Sequence, residues 1–389
     1  MRLIMLTLRR ITRIIHLESA VINMWIHEHQ NWPTFTWNSE TLASKLANIR
    51  HRQGRLLGRM ESLGFELKQE ASLNTLTNDV VKSSAIEGEN LKTEEVRSSI
   101  ARRLGIDLAG IVTASRDVEG IVDMMLDATQ EFLKPLTKER LFDWHAALFS
   151  TGCSGMQRIT VGSWRILDAG PMQVVSGPIG HENVHFEAPS ADRLEKEMLA
   201  FLGWFNDAQD IDPVLKAGIA HLWFVTIHPF EDGNGRIARA IGDMVLARAD
   251  GTPDRFYSLS YQVESERKEY YDQLEKQQRS TLEITGWLEW FLDCLGRAIT
   301  NAETTLGNVL FKAQLWAKIN QNPINDRQRL IINRMLEDNF KGHMNTSKYA
   351  KLAKCSNDTA LRDIQDLKEK TIFIKNPGGG RSTSYRLLD

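Results

Sequence analysis

Hydrophobic residues recur at helical spacing along most of the chain, and the pattern predicts two consecutive helices near its centre. Asp212 and Pro213 fit the start of the first helix, because a short acidic cap and a first-turn proline are both favoured there. Its buried face is formed by Val214, Leu215, Ile219, Leu222 and Phe224 to Ile227. His228-Pro229 ends it, since a residue before proline is driven out of the α conformation. The second helix is predicted from Arg236 to Arg248.

Upstream of these two helices the pattern is also helical. A stripe of apolar residues behind a capping Asn38 predicts a helical segment that continues as far as Gly64. Residues 72–88 have the spacing of an amphipathic helix, and Gly88 is a favoured residue for ending it. Three more helices are predicted over residues 93–105, 118–132 and 137–149.

Between residues 152 and 189 the helical pattern gives way to frequent glycines and short β-type runs. Met172–Val175 and Val184–Phe186 are two such runs, and they predict a β-hairpin with loops. His181 and His185 lie four apart in this stretch, but a strand or loop does not give that spacing the geometry of a metal site. We therefore predict that they are surface or flap histidines.

The pattern changes again from Asn322. Asp326 begins a predicted helix, residues 346–353 and 357–368 form a helix-turn-helix, and a glycine-rich hairpin over 372–388 completes the pattern of a winged helix. The predicted fold class is therefore mainly α. Its parts are an N-terminal extension (1–23), a small helical module (24–70), a helical core with a hairpin (71–305) and a winged helix-turn-helix domain (322–389).

Composition describes an ordinary globular protein and excludes some classes of partner. With 389 residues and a net charge of −2 at pH 7, the chain lacks the charge of a global nucleic-acid or membrane binder. Its three widely spaced cysteines offer neither a disulfide framework nor a metal motif, which predicts a reducing cytoplasm. The basic stretch 1–17 is too short and too charged to span a membrane, and its arginines interrupt any signal-peptide core.

The sequence HPFEDGNGRIAR, residues 228–239, carries most of the candidate chemistry. Backbone N–H groups and the helix dipole attract anions to the N-terminus of the second helix, and two arginines three apart extend the positive surface. We call the residues that produce this potential the anion cradle: Gly233, Asn234, Gly235, Arg236 and Arg239. Its size suits more than one phosphate.

Two further residues of this stretch suggest a reaction. Asp232 is a short carboxylate at the lip of the cradle, and a phosphate-bound Mg²⁺ takes one or two protein oxygens. His228 can accept a proton from a hydroxyl near neutral pH. Together they indicate transfer of a phosphate-containing group from a Mg-nucleotide to a hydroxyl. The alternative is a plain helix-loop-helix with a core histidine, which the number of chemically matched residues disfavours.

The stretch resembles the signature of the Fic family, HPFx(D/E)GNGRxxR, at every specified position. The resemblance implies a helical core that moves AMP from Mg-ATP to a Ser, Thr or Tyr hydroxyl of a target protein. It implies that His228 is the general base and Asp232 the metal ligand. It also implies that residues 233–235 hold the α- and β-phosphates, that Arg236 is a phosphate ligand, and that Arg239 binds the γ-phosphate.

A second string, SSAIEG at residues 83–88, is similar to the inhibitory motif (S/T)xxxE(G/N) of that family. Glu87 falls in the last turn of the predicted helix, where the dipole disfavours an anion, so we expect it to pair with a cation outside that helix. The resemblance implies that Ser83 and Glu87 are inhibitory and that Glu87 pairs with Arg239, which denies this arginine to the γ-phosphate. The alternative is a solvated glutamate at a helix end.

The family resemblance also implies a hairpin flap over the active site, here residues 160–189, which holds the target segment by strand addition. The flap strand would consist of Met172, Gln173, Val174 and Val175. Family members often place a tyrosine against the adenine base, so Tyr270 or Tyr271 is expected to stack on it. Packing in the core explains either tyrosine equally well.

The C-terminal segment resembles a winged-helix domain. Its recognition helix would carry Asn357, Asp358, Thr359 and Arg362, and its wing would carry Arg381. The predicted DNA-binding residues are Asn357, Thr359, Arg362 and Arg381. Asp363 and Asp366 weaken the positive potential of the same helix. DNA binding and a protein-contacting or packing role are therefore equal alternatives.

The predicted function is an autoinhibited protein adenylyltransferase that uses Mg²⁺ and ATP to modify a hydroxyl of a target protein or of itself. One alternative uses the same site to remove AMP from a modified protein with the help of Glu87, or uses another nucleotide donor. Another alternative is a DNA-binding regulator whose core senses a nucleotide. A homodimer that holds Glu87 in place is left open.

Overall fold

The computed structural model describes residues 24–388 apart from 109, 167–170, 179–180, 182, 209, 320–322, 337–339, 341 and 378–382. Within one long helix the side chains of 308–309, 311–314 and 317–318 are also not described. The predicted N-terminal extension and Arg381 therefore lie outside the described residues. The chain divides into two compact units between Ala302 and Glu303.

The first unit is built mainly from helices, as the spacing of apolar residues predicts. In chain order these are α1 (Ser39–Glu61), α2 (Phe65–Ile86), α3 (Thr93–Leu104), α4 (Arg116–Gln130), α5 (Lys138–Leu148), α6 (Leu194–Asn206), α7 (Pro213–Ile227), α8 (Asn234–Asp250), α9 (Leu259–Ser265), α10 (Arg267–Gln278) and α11 (Thr285–Ile319), which crosses the boundary. The mainly α fold class is thus confirmed. Among the described residues, no helix has the length and apolar character needed to cross a membrane.

Helices α7 and α8 form the centre of this unit. Every residue from Ala217 to Ile227 is buried, and a helix that is apolar on all sides belongs in a core. Asp212 accepts the Val214 N–H at 2.8 Å and Pro213 occupies the first turn, as the sequence predicts. The loop of residues 228–233 is therefore anchored at both ends by buried helices.

Helix α2 is longer than the sequence predicts. The prediction covers residues 72–88, whereas the helix begins at Phe65 and ends at Ile86, with Glu87 as its C-terminal cap. None of residues 65–70 is buried, and Phe65 itself is 77% exposed, so the first turns carry no apolar stripe to reveal them. The predicted boundary at residue 70 consequently falls inside one continuous helix.

Two short antiparallel hairpins interrupt the helices of the first unit. One pairs β1 (Cys153–Ser154) with β2 (Gln157–Arg158), and the other pairs β3 (Gln173–Ser176) with β4 (Asn183–Glu187). We call β3 and β4 the flap. Strand β3 begins one residue later than predicted, because Met172 precedes the ladder and joins it through its carbonyl, which accepts the Ala188 N–H at 2.9 Å.

Among its described residues, the second unit contains the end of α11, then three further helices and a hairpin. They are α12 (Asp326–Met335), α13 (Thr346–Leu352), α14 (Asn357–Glu369), β5 (Phe373–Lys375) and β6 (Tyr385–Leu387). Its core also includes Leu315 and Ile319 at the end of α11, so it begins before the predicted start at residue 322. The order of elements is the one predicted, and the assignment to the winged-helix fold stays a prediction.

Candidate active site

His228 ends α7 in the left-handed conformation, with φ 51° and ψ 58°, which few residues other than glycine adopt. Its carbonyl accepts a hydrogen bond from Nε of Arg165 at 2.8 Å, and the Arg165 N–H donates to the Pro229 carbonyl at 2.9 Å. Arg165 is buried, so these contacts are shielded from water. Arg165 therefore holds the turn that carries the imidazole.

The ring of His228 has a defined proton position. Its Nδ1 lies 3.2 Å from the Val225 carbonyl, which can only accept, so Nδ1 carries the proton and Nε2 keeps its lone pair. Burial lowers the pKa of His228 to about 4; the Val225 hydrogen bond opposes this effect and the Arg165 cation reinforces it. The histidine is therefore neutral at pH 7, which is the form that can accept a proton.

Asn234 braces the loop with its side chain. Its Oδ1 accepts the Phe230 N–H at 3.0 Å, and its Nδ2 donates to the Phe230 carbonyl at 2.8 Å. Phe230 is fully buried and stacks on His145, with the ring centroids 4.2 Å apart. What Asn234 can offer a ligand is its backbone N–H, which belongs to the first turn of α8 and lacks an intrahelical acceptor.

The two glycines of the cradle leave no room for a side chain. Gly233 has φ 81°, and a Cβ at this position would lie 2.8 Å from the Phe149 ring. A Cβ on Gly235 would overlap Oε1 of Glu87 and would lie 3.2 Å from Nη1 of Arg239. Gly233 is therefore required by the backbone conformation, whereas a side chain at Gly235 would displace the carboxylate of Glu87.

Arg239 is buried, with 3% of its side chain exposed, and it is held by the end of α2. Its Nε donates to Oγ of Ser83 and its Nη2 to the Ser83 carbonyl, both at 2.9 Å. Nη2 also donates to Oε1 of Glu87 at 2.6 Å. Nη1, beside Gly235, is buried without a hydrogen-bond partner among the described residues. Among the described residues, Glu87 therefore pairs with one terminal nitrogen of this arginine and leaves the other unpaired.

Arg236 contacts an acid that the sequence analysis does not single out. Its Nη1 donates to Oε2 of Glu89 at 2.8 Å, and its guanidinium lies over the Phe149 ring, 5.0 Å from the centroid. Burial raises the pKa of Glu89; Arg236 opposes the rise, while Asp232 and Glu87 add to it. Both cradle arginines are therefore paired with acids from residues 87–89, which we call the acid turn.

A cavity of about 530 Å³ opens between the loop, the flap and α10. His228, Asp232 and Gly235 line it on one side and Glu87 closes part of another. The volume falls within the range of small-molecule sites. The structure therefore brings the candidate base, the candidate metal ligand and the predicted inhibitory acid to one cavity.

Asp232 lies at the lip of the cradle with both carboxylate oxygens hydrogen-bonded. Oδ1 accepts the Gly233 N–H at 2.5 Å, and Oδ2 accepts the Ser154 hydroxyl. In the described part of the chain, no group of three or more His, Cys, Asp or Glu side chains could hold a metal by itself. One carboxylate on the cavity wall nevertheless fits a Mg²⁺ that arrives with a nucleotide, since such an ion takes one or two protein carboxylates and fills its other positions with phosphate oxygens and water.

The two candidate tyrosines lie differently. Tyr270 is 2% exposed, and its hydroxyl is 2.8 Å from Nε2 of His221, so it is chiefly a core residue with one edge on the cavity. Tyr271 is 37% exposed, and Arg267 lies over its ring at 5.8 Å from the centroid. Both tyrosines line the cavity, and Tyr271 has more ring surface to offer a flat ligand.

Two of the four predicted flap residues reach the cavity. Val174 and Val175 line it, together with Phe186 of β4. The Gln173 side chain instead donates to Oε2 of Glu187 across the hairpin at 2.8 Å, and Met172 precedes β3. The flap therefore contributes side chains from both of its strands to the cavity wall, namely the apolar Val174, Val175 and Phe186 and the polar Ser176 and His185.

Several supporting residues carry no local sequence signal. His145 donates from Nε2 to the Asp232 carbonyl at 3.2 Å while its Nδ1 accepts the Gly162 N–H at 3.1 Å, and burial lowers its pKa to about 4. Ser154 and Arg165 come from the glycine-rich segment, which has no periodicity. Glu89 could have been found, because it lies two residues after the inhibitory glutamate.

The residues predicted for the recognition helix lie on α14, in the second unit. Asn357, Asp358 and Arg362 are exposed and Thr359 is half-buried, whereas Arg381 lies outside the described residues. The two acids expected to weaken the positive potential are bound within the unit: Asp363 by Arg327, and Asp366 by Gln328 and Lys370. DNA binding stays a prediction.

Comparison with known proteins connects this geometry to a family. A model of the Fic/DOC family matches residues 135–246, which include α7, the loop and most of α8. The chain contains a Fic domain. A second model, of a domain of unknown function called DUF4172, matches residues 25–106 and so includes the acid turn that contacts the Fic domain.

Curated relatives of the Fic domain are named protein adenylyltransferases. Protein adenylyltransferase fic-1 of Caenorhabditis elegans is 28% identical over 200 residues, which are 50% of this chain and 35% of that protein. Protein adenylyltransferase Fic of Nematostella vectensis is 33% identical over 113 residues, which are 28% of this chain and 25% of that protein. The chain thus spans about a third of their length or less.

A solved structure of a Fic family protein from Desulfovibrio desulfuricans G20 also resembles the chain. It is 20% identical with a TM-score of 0.49, and the similarity covers 92% of this chain and 98% of that one. A likeness at this level does not bear on the function of the Fic domain.

Proposed function

We propose that the protein is an autoinhibited protein adenylyltransferase, which transfers AMP from Mg-ATP to a hydroxyl of a target protein or of itself. The observation that supports it best is the buried guanidinium of Arg239. Its Nη1 has no partner among the described residues and lies beside Gly235, at the N-terminus of α8. A buried guanidinium nitrogen without a partner among the described residues, close to a helix N-terminus, favours an anionic ligand, and a nucleoside triphosphate supplies one.

The anion cradle is suited to the phosphates of ATP. Arg236 and Arg239 provide two cations on one turn of α8, and Gly233 and Gly235 place no side chain of their own over its N-terminus. Asp232, on the cavity wall, would share Mg²⁺ with these phosphates. The nucleoside would then occupy the cavity, where Tyr271 offers ring surface for the base.

In the proposed reaction the target hydroxyl attacks the α-phosphorus of ATP. His228 takes the hydroxyl proton on Nε2, a new O–P bond forms, and the bond to the bridging oxygen breaks, so that pyrophosphate leaves with the electron pair. The N–H groups at the start of α8 and the two arginines stabilise the charge that develops on the phosphoryl oxygens. Mg²⁺, when bound, would neutralise part of the phosphate charge.

The acid turn would keep this reaction slow. Glu87 occupies Nη2 of Arg239 at 2.6 Å, and Glu89 occupies Nη1 of Arg236 at 2.8 Å. Each acid competes with a phosphate for the same guanidinium. ATP would therefore bind without the contacts that align its α-phosphorus with the hydroxyl.

The test compares wild type, Glu87→Gly and Glu87→Gly/His228→Ala, each incubated with Mg²⁺, lysate protein and ATP labelled at either the α- or the γ-phosphate. We expect protein labelling from the α-label alone, weak with wild type, strong with Glu87→Gly and absent with the double variant. The coupling between brake and site predicts an increase of about 5- to 150-fold over wild type.

Other outcomes would contradict the proposal in distinguishable ways. Labelling from γ-labelled ATP would indicate phosphorylation, and labelling that survives His228→Ala would exclude this histidine as the base. If Glu87→Gly bound ATP but labelled no protein, both the inhibition by Glu87 and the use of ATP as the AMP donor would be contradicted. The same assay with α-labelled CTP, GTP and UTP tests another donor, and loss of label from a modified target on adding wild type tests the reverse reaction.

A further inference from the structure

The outer edge of flap strand β4 is closed by side chains from elsewhere in the first unit. The Ala188 N–H points towards β3, where it donates to the Met172 carbonyl. Because the Glu187 carbonyl belongs to the same trans peptide, it points the opposite way, out of the hairpin. There it lies 2.8 Å from Nε2 of His27. A backbone acceptor that would otherwise be open to another strand is thus occupied.

A second carbonyl on β4 is occupied from the end of α10. Nη2 of Arg279 donates to the Val184 carbonyl at 2.6 Å. The same guanidinium lies over the ring of Trp25, 4.7 Å from its centroid. Trp25 in turn packs edge-on against Phe186, with centroids 5.4 Å apart. The N-terminal segment and the end of α10 therefore meet on the back of β4.

His27 is fixed in this position by its own environment. It is 6% exposed, and burial lowers its pKa despite the hydrogen bond to Glu187. Because a carbonyl can only accept, Nε2 carries the proton of the neutral ring, and Nδ1 is buried without a partner among the described residues. The imidazole is thus a neutral donor directed at the flap backbone.

These contacts occupy carbonyls on the outer edge of β4 and leave the outer edge of β3 open. Strand β3 pairs with β4 and with no other described strand, so its outer edge offers unpaired backbone groups to a partner strand. Phe186 links the back of β4 to the site: it is 2% exposed, contacts Trp25 on one side and lines the cavity on the other. A shift of β4 would therefore move both the cavity wall and the open edge of β3.

We propose that Trp25, His27 and Arg279 form a clamp on β4. The clamp fixes the position of the flap, so that the open edge of β3 holds a bound target strand at a fixed distance from His228. The inference rests on the proposed function, since it needs a target strand at the flap. Trp25 and His27 lie at the start of the segment that matches DUF4172. The clamp gives this part of the chain a role in orienting the target, which is separate from the inhibitory role proposed for the acid turn at Glu87. The clamp residues are positioning residues, because none of them lines the cavity.

Hydrogen–deuterium exchange of the full chain tests the clamp without any need for activity. Loss of a clamp contact frees β4 locally, so His27→Ala and Trp25→Ala should raise exchange in peptides that cover β3 and β4 by about tenfold, with α7 and α8 unchanged. His27→Gln, which keeps an N–H donor, and Trp25→Phe, which keeps an aromatic ring, should restore most of the protection. His29→Ala is the matched control, because His29 contacts the Ser280 carbonyl at 3.1 Å instead of the flap.

Target transfer is then measured in the Glu87→Gly background. Adding His27→Ala should lower AMP incorporation from α-labelled ATP by about tenfold, because the acceptor is misplaced, while the Kd for Mg-ATP changes by less than about twofold. Adding His29→Ala should change neither quantity.

The two measurements separate failure of the clamp from failure of the proposed function. Unchanged flap exchange in both His27→Ala and Trp25→Ala would overturn the clamp, and so would faster exchange throughout the protein, which would show a general role in stability. A Glu87→Gly protein that labels no target would contradict the proposed function, while the exchange data would still decide whether the flap is clamped.

Discussion

Oε2 of Glu89 lies 2.8 Å from Nη1 of Arg236. Glu89 comes two residues after Glu87, whose carboxylate binds Arg239. The Arg236 side chain is 5% exposed and that of Glu89 is 48% exposed, so the acid reaches a buried cation from the surface. The positive potential at the start of α8 is therefore opposed by two carboxylates. Release of Glu87 alone leaves one cradle arginine occupied.

Glu89→Gln should increase the affinity for Mg-ATP, because the amide no longer competes as an anion for Arg236. A partly exposed pair of this kind contributes little, so we expect the Kd measured by calorimetry to fall by about two- to fivefold. In the Glu87→Gly background, Glu89→Gln should raise AMP transfer above the level that Glu87→Gly reaches alone.

The control for this prediction is Glu94→Gln. Glu94 is an exposed acid at the start of α3 and should leave the Kd unchanged. Equal effects of Glu89→Gln and Glu94→Gln would show that net charge, and not the contact with Arg236, sets the affinity.

The core of the site could be predicted from the sequence because it is local. The helix stop at His228, the glycine turn and the two arginines lie within twelve residues, and each has a backbone or charge requirement that the residue type reveals. Glu87 could be placed opposite Arg239 only through the family resemblance, since 152 residues separate the two. That Nη1 of Arg239 lacks a partner in the described part of the chain is a property of the packing and has no sequence signal.

The parts that the sequence does not reveal depend on contacts between distant segments. Arg165 and Ser154 lie in a stretch without periodicity, yet they bond the loop at His228 and Asp232. The first turns of α2 are missed because their side chains are not buried, so no apolar stripe marks them. Hydrophobic spacing reports burial on one face of an element, and long-range polar contacts leave no such pattern.

Arg165→Lys should lower AMP transfer without weakening ATP binding. The guanidinium of Arg165 bonds two carbonyls, those of His228 and Pro189, and one ammonium group cannot reproduce this fork. The turn that carries His228 would then be less well fixed. In the Glu87→Gly background we expect kcat to fall by about 10- to 100-fold, as misplacement of a catalytic group does.

Arg158→Lys provides the comparison for Arg165→Lys. Arg158 is exposed on β2, so its replacement should leave both kcat and the Kd for Mg-ATP at the values of the parent. If Arg165→Lys raised the Kd and left kcat intact, Arg165 would act on nucleotide binding and not on the position of His228.

Gly233→Ala should destabilise the folded protein. Gly233 has φ 81°, and the added Cβ would lie 2.8 Å from the Phe149 ring, so the substitution brings both backbone strain and a steric clash. We expect the free energy of unfolding in urea to fall by about 1–3 kcal/mol. Gly242→Ala is the control, because this glycine lies inside α8 and an added Cβ would meet no heavy atom within 4 Å, so alanine should stabilise the helix by about 0.5–1 kcal/mol.

His221 should make stability depend on pH in a predictable direction. Burial, reinforced by the Arg239 cation, lowers its pKa to about 3, whereas in an unfolded chain the pKa of histidine is about 6.5. Between these two values the unfolded chain binds a proton that the folded protein does not. The contribution of His221 to the free energy of unfolding is therefore complete above about pH 6.5 and is lost as the pH falls towards 3.

We expect His221→Gln, which keeps a polar partner for the Tyr270 hydroxyl but does not titrate, to lose less stability than wild type between pH 7 and pH 5. Urea unfolding at pH 7, 6 and 5 gives the free energy of unfolding of each protein. The gap, meaning the difference between wild type and His221→Gln in this free energy, should narrow at each step. The gap is informative because Asp79 and Asp243, whose pKa values burial raises, act in the opposite direction but do so in both proteins. A gap that stayed constant down to pH 5 would mean that folding does not lower the pKa of His221.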